Sequence, residues 1–233
     1  MTRIPLLLLP GLLCDETLWR HQTATLADVA DITVADLTRD DSVTGMAVRA
    51  LAQAPERFAM AGLSMGGYVA QQIMRMAKDR VTRLALIDTS ARDDTPEQRT
   101  RRESLIELAQ TGKFRGVTPR LLPLLIHSAR LEDEELKDAV LGMAARVGRD
   151  AFIAQQQAIM GRPDGRPDLA KISCPTLVMC GRQDELTPPA LHQEIAAGIG
   201  DRARLVVIED CGHLSPLERP RAVSAVMRYW LQG

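Results

Sequence analysis

Two hydrophobic periods alternate along this chain. Largely apolar runs, such as Ile4–Leu9, Arg57–Leu63, Leu84–Ile87 and Thr176–Cys180, are closed by Pro, Gly, Ser or Asp. Runs of that length suit parallel strands buried on both faces. Between them, apolar residues recur at helical spacing, as at Val69, Ile73 and Met76. In order, the pattern predicts strands over 4–9, 32–37, 57–63, 84–87, 176–180 and 204–208. It predicts helices over 17–26, from a Ser42 cap to Gln53, and over 65–77, 188–197 and 220–231. Strands alternating with helices imply a parallel sheet with right-handed crossovers.

The rhythm changes between Arg92 and Asp168, where no strand pattern occurs. Thr95-Pro96 pairs a capping residue with a first-turn proline, and Leu105, Ile106 and Leu108 follow on one side. Further helices are expected over 118–126, 131–147 and 150–160. The repeated tetrapeptide Gly161-Arg162-Pro163-Asp164-Gly165-Arg166-Pro167-Asp168 then reads as a linker. The expected organisation is one α/β core formed by 1–91 and 169–233, interrupted by a helical insertion over 92–168.

Composition narrows the function. The chain has 233 residues, is 45% hydrophobic and carries a formal net charge of -1. Nothing in that balance suggests a nucleic-acid or membrane partner. The apolar run at Leu6–Leu9 is stopped at once by Pro10-Gly11, too short for a signal segment or a membrane span, so a cytoplasmic protein is expected. The insertion contains 13 basic and 13 acidic residues and so presents no net field. Cys14, Cys174, Cys180 and Cys211 match neither a zinc site nor a redox pair, so they are expected to be buried free thiols, Cys211 at most a modification site, and no metal or cofactor is implied.

The chemistry centres on Gly62-Leu63-Ser64-Met65-Gly66, a G-x-S-x-G pattern with a strand before it and a helix after it. Such a turn holds serine in strained backbone angles with its hydroxyl proud of the sheet, and small flanking residues let strand and helix pack closely. A serine hydroxyl needs a base, and the base needs an orienting group. Of the four histidines, His213 follows the end of a strand, where sites form in open α/β sheets. His21, His127 and His192 fall on helices or in the insertion. Asp184 also follows a strand end and is the expected orienting acid, with Asp88 and the adjacent Glu185 as rivals. The N–H of Met65 is one expected oxyanion donor, and Leu12, by its position after the first strand, is the second.

Together these residues resemble the α/β-hydrolase family. The matching segments are Leu9-Pro10-Gly11-Leu12, Gly62-Leu63-Ser64-Met65-Gly66-Gly67, Gly181-Arg182-Gln183-Asp184 and Gly212-His213-Leu214-Ser215-Pro216-Leu217-Glu218-Arg219-Pro220. The order Ser64, Asp184, His213 is the family's order. The resemblance implies a Ser-His-Asp hydrolase under a helical lid, and serine at the nucleophile position disfavours epoxide hydrolase and dehalogenase chemistry. The chain departs from the family twice. It lacks the usual N-terminal hairpin, so a six-stranded sheet is expected, and Pro10-Gly11 stands where His-Gly is common.

The expected activity is hydrolysis of a small or medium carboxylic ester or lactone, including an enol-lactone. Alternatives are carbon–carbon bond hydrolysis on the same residues, with perhydrolysis as a side reaction, or a ligand receptor with little turnover. The insertion's arginines could grip a substrate carboxylate, but their acidic neighbours favour a solvated helix face. Without the hairpin, the strand at 32–37 becomes a sheet edge. Asp28, Asp31, Arg39, Asp40 and Asp41 surround it with mostly negative charge. A monomer, or a dimer through another surface, is therefore expected over edge-to-edge pairing.

Overall fold

A computed structural model describes residues 3–233. The strands are β1 (Ile4–Leu9), β2 (Ala30–Val34), β3 (Phe58–Leu63), β4 (Val81–Ile87), β5 (Thr176–Gly181) and β6 (Ala203–Ile208). They form one sheet in the order β2-β1-β3-β4-β5-β6, and every neighbouring pair is parallel. This is the α/β-hydrolase arrangement expected, with β2 at one edge.

The helices are α1 (Arg20–Thr25), α2 (Val43–Gln53), α3 (Met65–Ala77), α4 (Pro96–Leu108), α5 (Leu122–Leu125), α6 (Glu134–Met160), α7 (Pro189–Ile199), α8 (Ser215–Glu218) and α9 (Pro220–Gln232). Alternate side chains of the four central strands feed two cores. Leu7, Leu9, Met60, Leu84 and Val178 join Val69 and Ile73 of α3 and Ile195 of α7 on one face. Leu6, Leu8, Ala61, Ile87 and Met179 join Trp19, Val223 and Met227 on the other. The period of two along each strand makes this partition unavoidable once both faces are covered. Each fully buried Leu contributes on the order of 2 kcal/mol of transfer free energy.

Between β4 and β5 the described residues are helical or turn, with no strand. Helix α6 contributes Leu136, Val140 and Met143 to one core and Ala158 and Ile159 to the other. It therefore crosses from one face of the sheet to the other. The two helices expected over 131–147 and 150–160 are the two arms of α6, separated where Gly148 takes φ 79 and ψ -179.

Several expectations shift. The second strand covers 30–34 rather than 32–37, because its register follows β1, pairing Ile4 with Ala30 and Leu8 with Val34. Strand β4 begins at Val81, not Leu84. Met76, expected in the core, is 43% exposed. The burial of α3 stops at Met74, and its last turn lies at the surface. The 118–126 helix shrinks to α5 and a preceding turn. The repeated tetrapeptide is packed rather than free, with Arg162 buried and the Gly165 N–H on Ala91 O at 2.7 Å.

Backbone approaches very closely at the β3–α3 turn. A Cβ on Gly66 would lie 2.1 Å from Leu9 O and 2.7 Å from Pro10 O, and one on Gly62 would lie 2.3 Å from Gly66 O. These are backbone atoms of β1, the residue after it and α3, and cannot swing aside as a side chain would. Gly66→Ala is expected to cost about 3 kcal/mol, the upper part of the usual overpacking range, read as a lower urea midpoint. An unchanged midpoint would mean that the loop after β1 yields freely.

Candidate active site

The parallel register brings the C-terminal ends of the central strands together. Leu9 lies beside Gly62, Leu63 beside Ile87, Ile87 beside Met179 and Gly181 beside Ile208. The segments after β1, β3, β4, β5 and β6 therefore meet along one edge.

Ser64 is the single residue between β3 and α3 and has φ 54 and ψ -114. For a non-glycine residue such angles cost on the order of 1–3 kcal/mol and need external support. The support comes from β4 and the residues just after it. Ser64 N–H donates to Ile87 O at 3.0 Å, and Thr89 Oγ1 donates to Ser64 O at 2.8 Å. Thr89 is fixed in turn by its own N–H, which donates to His192 Nε2 at 2.8 Å.

His213, buried after β6, places Nε2 3.0 Å from Ser64 Oγ and Nδ1 2.8 Å from Asp184 Oδ2. With its proton on Nδ1 and donated to the carboxylate, the ring presents the Nε2 lone pair to the serine hydroxyl. Asp184 accepts from the N–H groups of Leu186 and Thr187, each at 2.9 Å, and from Thr187 Oγ1 at 2.7 Å. The structure thus brings Ser64, His213 and Asp184 into one hydrogen-bonded chain. Burial alone would raise the Asp184 carboxyl, but the His213 imidazole and the Thr187 contacts outweigh it and hold it below the ordinary range. For His213, burial acts to lower the pKa. The Asp184 carboxylate, with Asp88 and Glu218 behind it, wins and holds it above 6.5.

The rival acids stand elsewhere. Asp88 is buried with φ 44, and its two oxygens accept from the N–H groups of Gly181 (3.0 Å) and Ser215 (3.1 Å). It ties the acid-bearing loop to the histidine-bearing loop without touching the imidazole. Burial and the Asp184 charge push its carboxyl well above the usual range. Glu185 is exposed. Glu218, buried on α8, accepts from the N–H groups of His127 (2.7 Å), Gly212 (2.9 Å) and Leu214 (3.3 Å), so it braces the turn around His213.

Leu12 lies in the turn after β1, and Met65 is the first residue of α3, whose N–H belongs to the helix's unpaired N-terminal set. Both fall on the strand-end edge that carries Ser64. Among the described residues, no group of three or more His, Cys, Asp or Glu is arranged to hold a metal ion. No described helix is long and apolar enough to cross a membrane. All four cysteines are buried free thiols, and burial pushes Cys14 and Cys180 up to about 12. The insertion's arginines are largely engaged. Arg102 and Arg162 both contact the buried Asp94 at 2.7 Å, Arg146 pairs with Asp15 and Arg92 with Glu194.

Sequence reasoning passed over Thr89, Thr187 and His192. Thr187 had a local signal, since Asp184-x-x-Thr187 is the spacing of a self-capping turn. His192 had none, because its partner Thr89 lies 103 positions away.

The chain belongs to the α/β-hydrolase family, whose model matches residues 6–226. It is 30% identical over 191 residues to the provisionally named non-heme bromoperoxidase BpoC of Mycobacterium tuberculosis, a match covering 79% of this chain and 71% of that protein. It is 30% identical over 174 residues to the pimeloyl-[acyl-carrier protein] methyl ester esterase of Nitrosomonas europaea, covering 71% of this chain and 68% of that one. Among solved structures it resembles the malate-bound thermophilic esterase of Thermogutta terrifontis, with 30% identity, a TM-score of 0.89 and coverage of 99% and 90% of the two chains.

His192 makes the fold pH-sensitive. Burial, outweighing the raising pull of Asp184, holds its pKa down at about 4, against 6.5 when unperturbed. Between those values the unfolded chain binds the extra proton, so stability is full above 6.5 and falls as pH drops toward 4. A gap of that size corresponds to roughly 3 kcal/mol. The urea midpoint should fall across this window in the wild-type protein and fall less in His192→Gln, which can still accept the Thr89 N–H. Equal slopes would assign the acid sensitivity to other groups.

Proposed function

We propose that this protein is a serine hydrolase of carboxylic esters or lactones, acting through an acyl-enzyme on Ser64. The observation that carries the proposal is the continuous Ser64–His213–Asp184 chain, at 3.0 and 2.8 Å, beginning on a serine held at φ 54. His213 Nε2 takes the hydroxyl proton as Ser64 Oγ attacks the carbonyl. The N–H groups of Leu12 and Met65 receive the developing oxyanion. His213 then delivers the proton to the departing alkoxide. Water, deprotonated by the same nitrogen, attacks the acyl carbon and regenerates Ser64. Asp184 keeps the ring in the required tautomer and stabilises the imidazolium. In this reading residues 92–168 form a cap over a core of 1–91 and 169–233.

The esterase names of two relatives support ester chemistry over the receptor reading. The bromoperoxidase name of the third fits a perhydrolysis side reaction in which peroxide replaces water at the acyl-enzyme. A panel of p-nitrophenyl esters, lactones and diketones separates ester, lactone and carbon–carbon cleavage.

A fluorophosphonate probe should label the wild-type protein, and Ser64→Ala should lose both labelling and p-nitrophenyl ester turnover. Labelling that persists in Ser64→Ala, at another serine, would sink the assignment.

The imidazole must be neutral to act as base, so kcat/KM should fall on acidification with a midpoint above 6.5. Asp184→Asn should lower kcat on the order of 10⁴-fold, by analogy with the protease template, and move the acid limb downward. A mild Asp184→Asn beside a crippled Asp88→Asn would mean that Asp88 is the orienting acid.

A further inference from the structure

The turn after β1 is held from outside. Cys14 N–H donates to Gly11 O at 3.2 Å, closing a four-residue turn over Gly11–Cys14. A trans peptide points its C=O and N–H in opposite directions. Because Gly11 O faces into the turn, the Leu12 N–H of the same peptide faces out of it. The third position of the turn is Leu13, with φ 58. A positive φ there is the mark of a type II turn, where glycine is the favoured residue. A leucine in that conformation is strained by on the order of 1–2 kcal/mol. The competing type I turn has a negative φ at this position and reverses the peptide between Leu12 and Leu13.

One side chain grips that peptide. Gln155 of α6 is completely buried, and its Oε1 accepts the Leu13 N–H at 3.0 Å. Its Nε2 donates to Leu37 O at 3.1 Å, just beyond β2. The amide can sit only one way round, since Leu13 offers a donor and Leu37 an acceptor. Reversal of the Leu12–Leu13 peptide would present a carbonyl to the Gln155 oxygen and leave buried polar groups unpaired. The Leu13 side chain is seated as well, in a small cluster with Ala109, Ala144 and Phe152 of the insertion.

We propose that Gln155 is a positioning residue for the oxyanion hole: by anchoring the peptide that follows Leu12 it holds the strained Gly11–Cys14 turn, and with it the Leu12 N–H, in place against Ser64, whose Cβ would lie 3.5 Å from a Cβ on Gly11. The insertion is then a fixed part of the reaction site, not only a cover. This rests on the reading of Ser64 as nucleophile and Leu12 as oxyanion donor. It makes a separate claim, that a cap side chain in contact with no substrate sets transition-state stabilisation.

The test compares Gln155→Leu, which removes both hydrogen bonds at nearly constant volume, with Gln155→Glu, which keeps an acceptor for Leu13. The readouts are kcat and KM on a p-nitrophenyl ester, the acid limb of the pH profile, and inhibition by phenylboronic acid. In the last, Ser64 Oγ adds to trigonal boron, its proton passes to His213, and a boron-bound oxygen occupies the oxyanion position. Deleting an oxyanion donor outright lowers kcat about 10²–10³-fold. Misaiming one in Gln155→Leu should lower kcat and boronate affinity together, on the order of 10- to 100-fold. KM should stay within about twofold, and the acid limb should not move. Gln155→Glu should recover most of the kcat. If Gln155→Leu does not fold, replacing Leu13 by its α-hydroxy acid removes the N–H alone and should give the same paired loss. A Gln155→Leu protein, or that ester analogue, with wild-type kcat and boronate affinity overturns the inference, whatever its melting temperature. If Ser64→Ala is inactive in the same assay, only this inference falls. If Ser64→Ala keeps turnover, the reading of the site falls with it.

Discussion

The constraint on which the site depends is the backbone of Ser64. A serine at φ 54 and ψ -114 is held against its own preference. The holding groups come from several parts of the chain: Ile87 O and Thr89 Oγ1 from β4 and its end, and the close approach of Gly66 to Leu9 and Pro10 at the end of β1. The flanking glycines are consequences of that approach. The sheet order follows the same logic, since β3 must lie between β1 and β4 for both supports to reach the turn. Thr89 is itself steadied by a neutral, buried His192. Support for the serine's geometry therefore extends through Thr89 to His192 on α7.

Behind the imidazole lies an unusual concentration of carboxyl groups. Asp184 contacts His213 directly, while Asp88 and Glu218 hold the backbone around it. Three ionised carboxylates beside one imidazole would repel strongly in a medium that screens poorly. Burial raises the Asp88 and Glu218 carboxyls above their ordinary range, while the imidazole and the Thr187 donors hold Asp184 below it. The three residue types are similar, and their environments give them different work. Asp184 owes its ionised state to the imidazole and to three donors on its own turn. Asp88 has two backbone donors and no cation in contact.

Much of this was legible in the sequence because the strongest signals are local. Largely apolar runs closed by Pro10, Ser64, Asp88, Gly181 and Glu209 marked five of the strands to within a few residues, and Gly62-x-Ser64-x-Gly66 marked the strained turn. Candidates for base and acid followed because strand ends of a parallel sheet converge on one edge. The register of β2 was not legible, since an edge strand takes its limits from its neighbour. The exposure of Met76 was missed because periodicity identifies a face but not where the covering layer stops. Glutamine and histidine on helices, such as Gln155 and His192, carry no local mark. Their partners lie 142 and 103 residues away and exist only after folding.

The insertion shows how charge balance is used. Its equal numbers of acids and bases argued against a net field, and the structure turns that balance into attachment. The pairs Arg146–Asp15 and Arg92–Glu194 involve exposed guanidinium groups that solvent screens, so they contribute little. Arg102 and Arg162 converge on Asp94, which is nearly inaccessible, and Arg162 also lies 4.3 Å from the centre of the Tyr68 ring on α3. Removing Asp94 would leave Arg102 with Gln156 Oε1, and Arg162 with the Arg92 and Ile159 carbonyls, but without the shared carboxylate, a larger penalty than losing a surface pair. At the other end, the N–H groups of His213 and Leu214 both donate to Leu125 O, at 3.1 and 3.2 Å. The insertion is thus bonded to the β1 turn, the histidine turn and α3 together. Lifting it as a rigid flap would break contacts at all three places, and Ser64 is already partly exposed with the insertion in place.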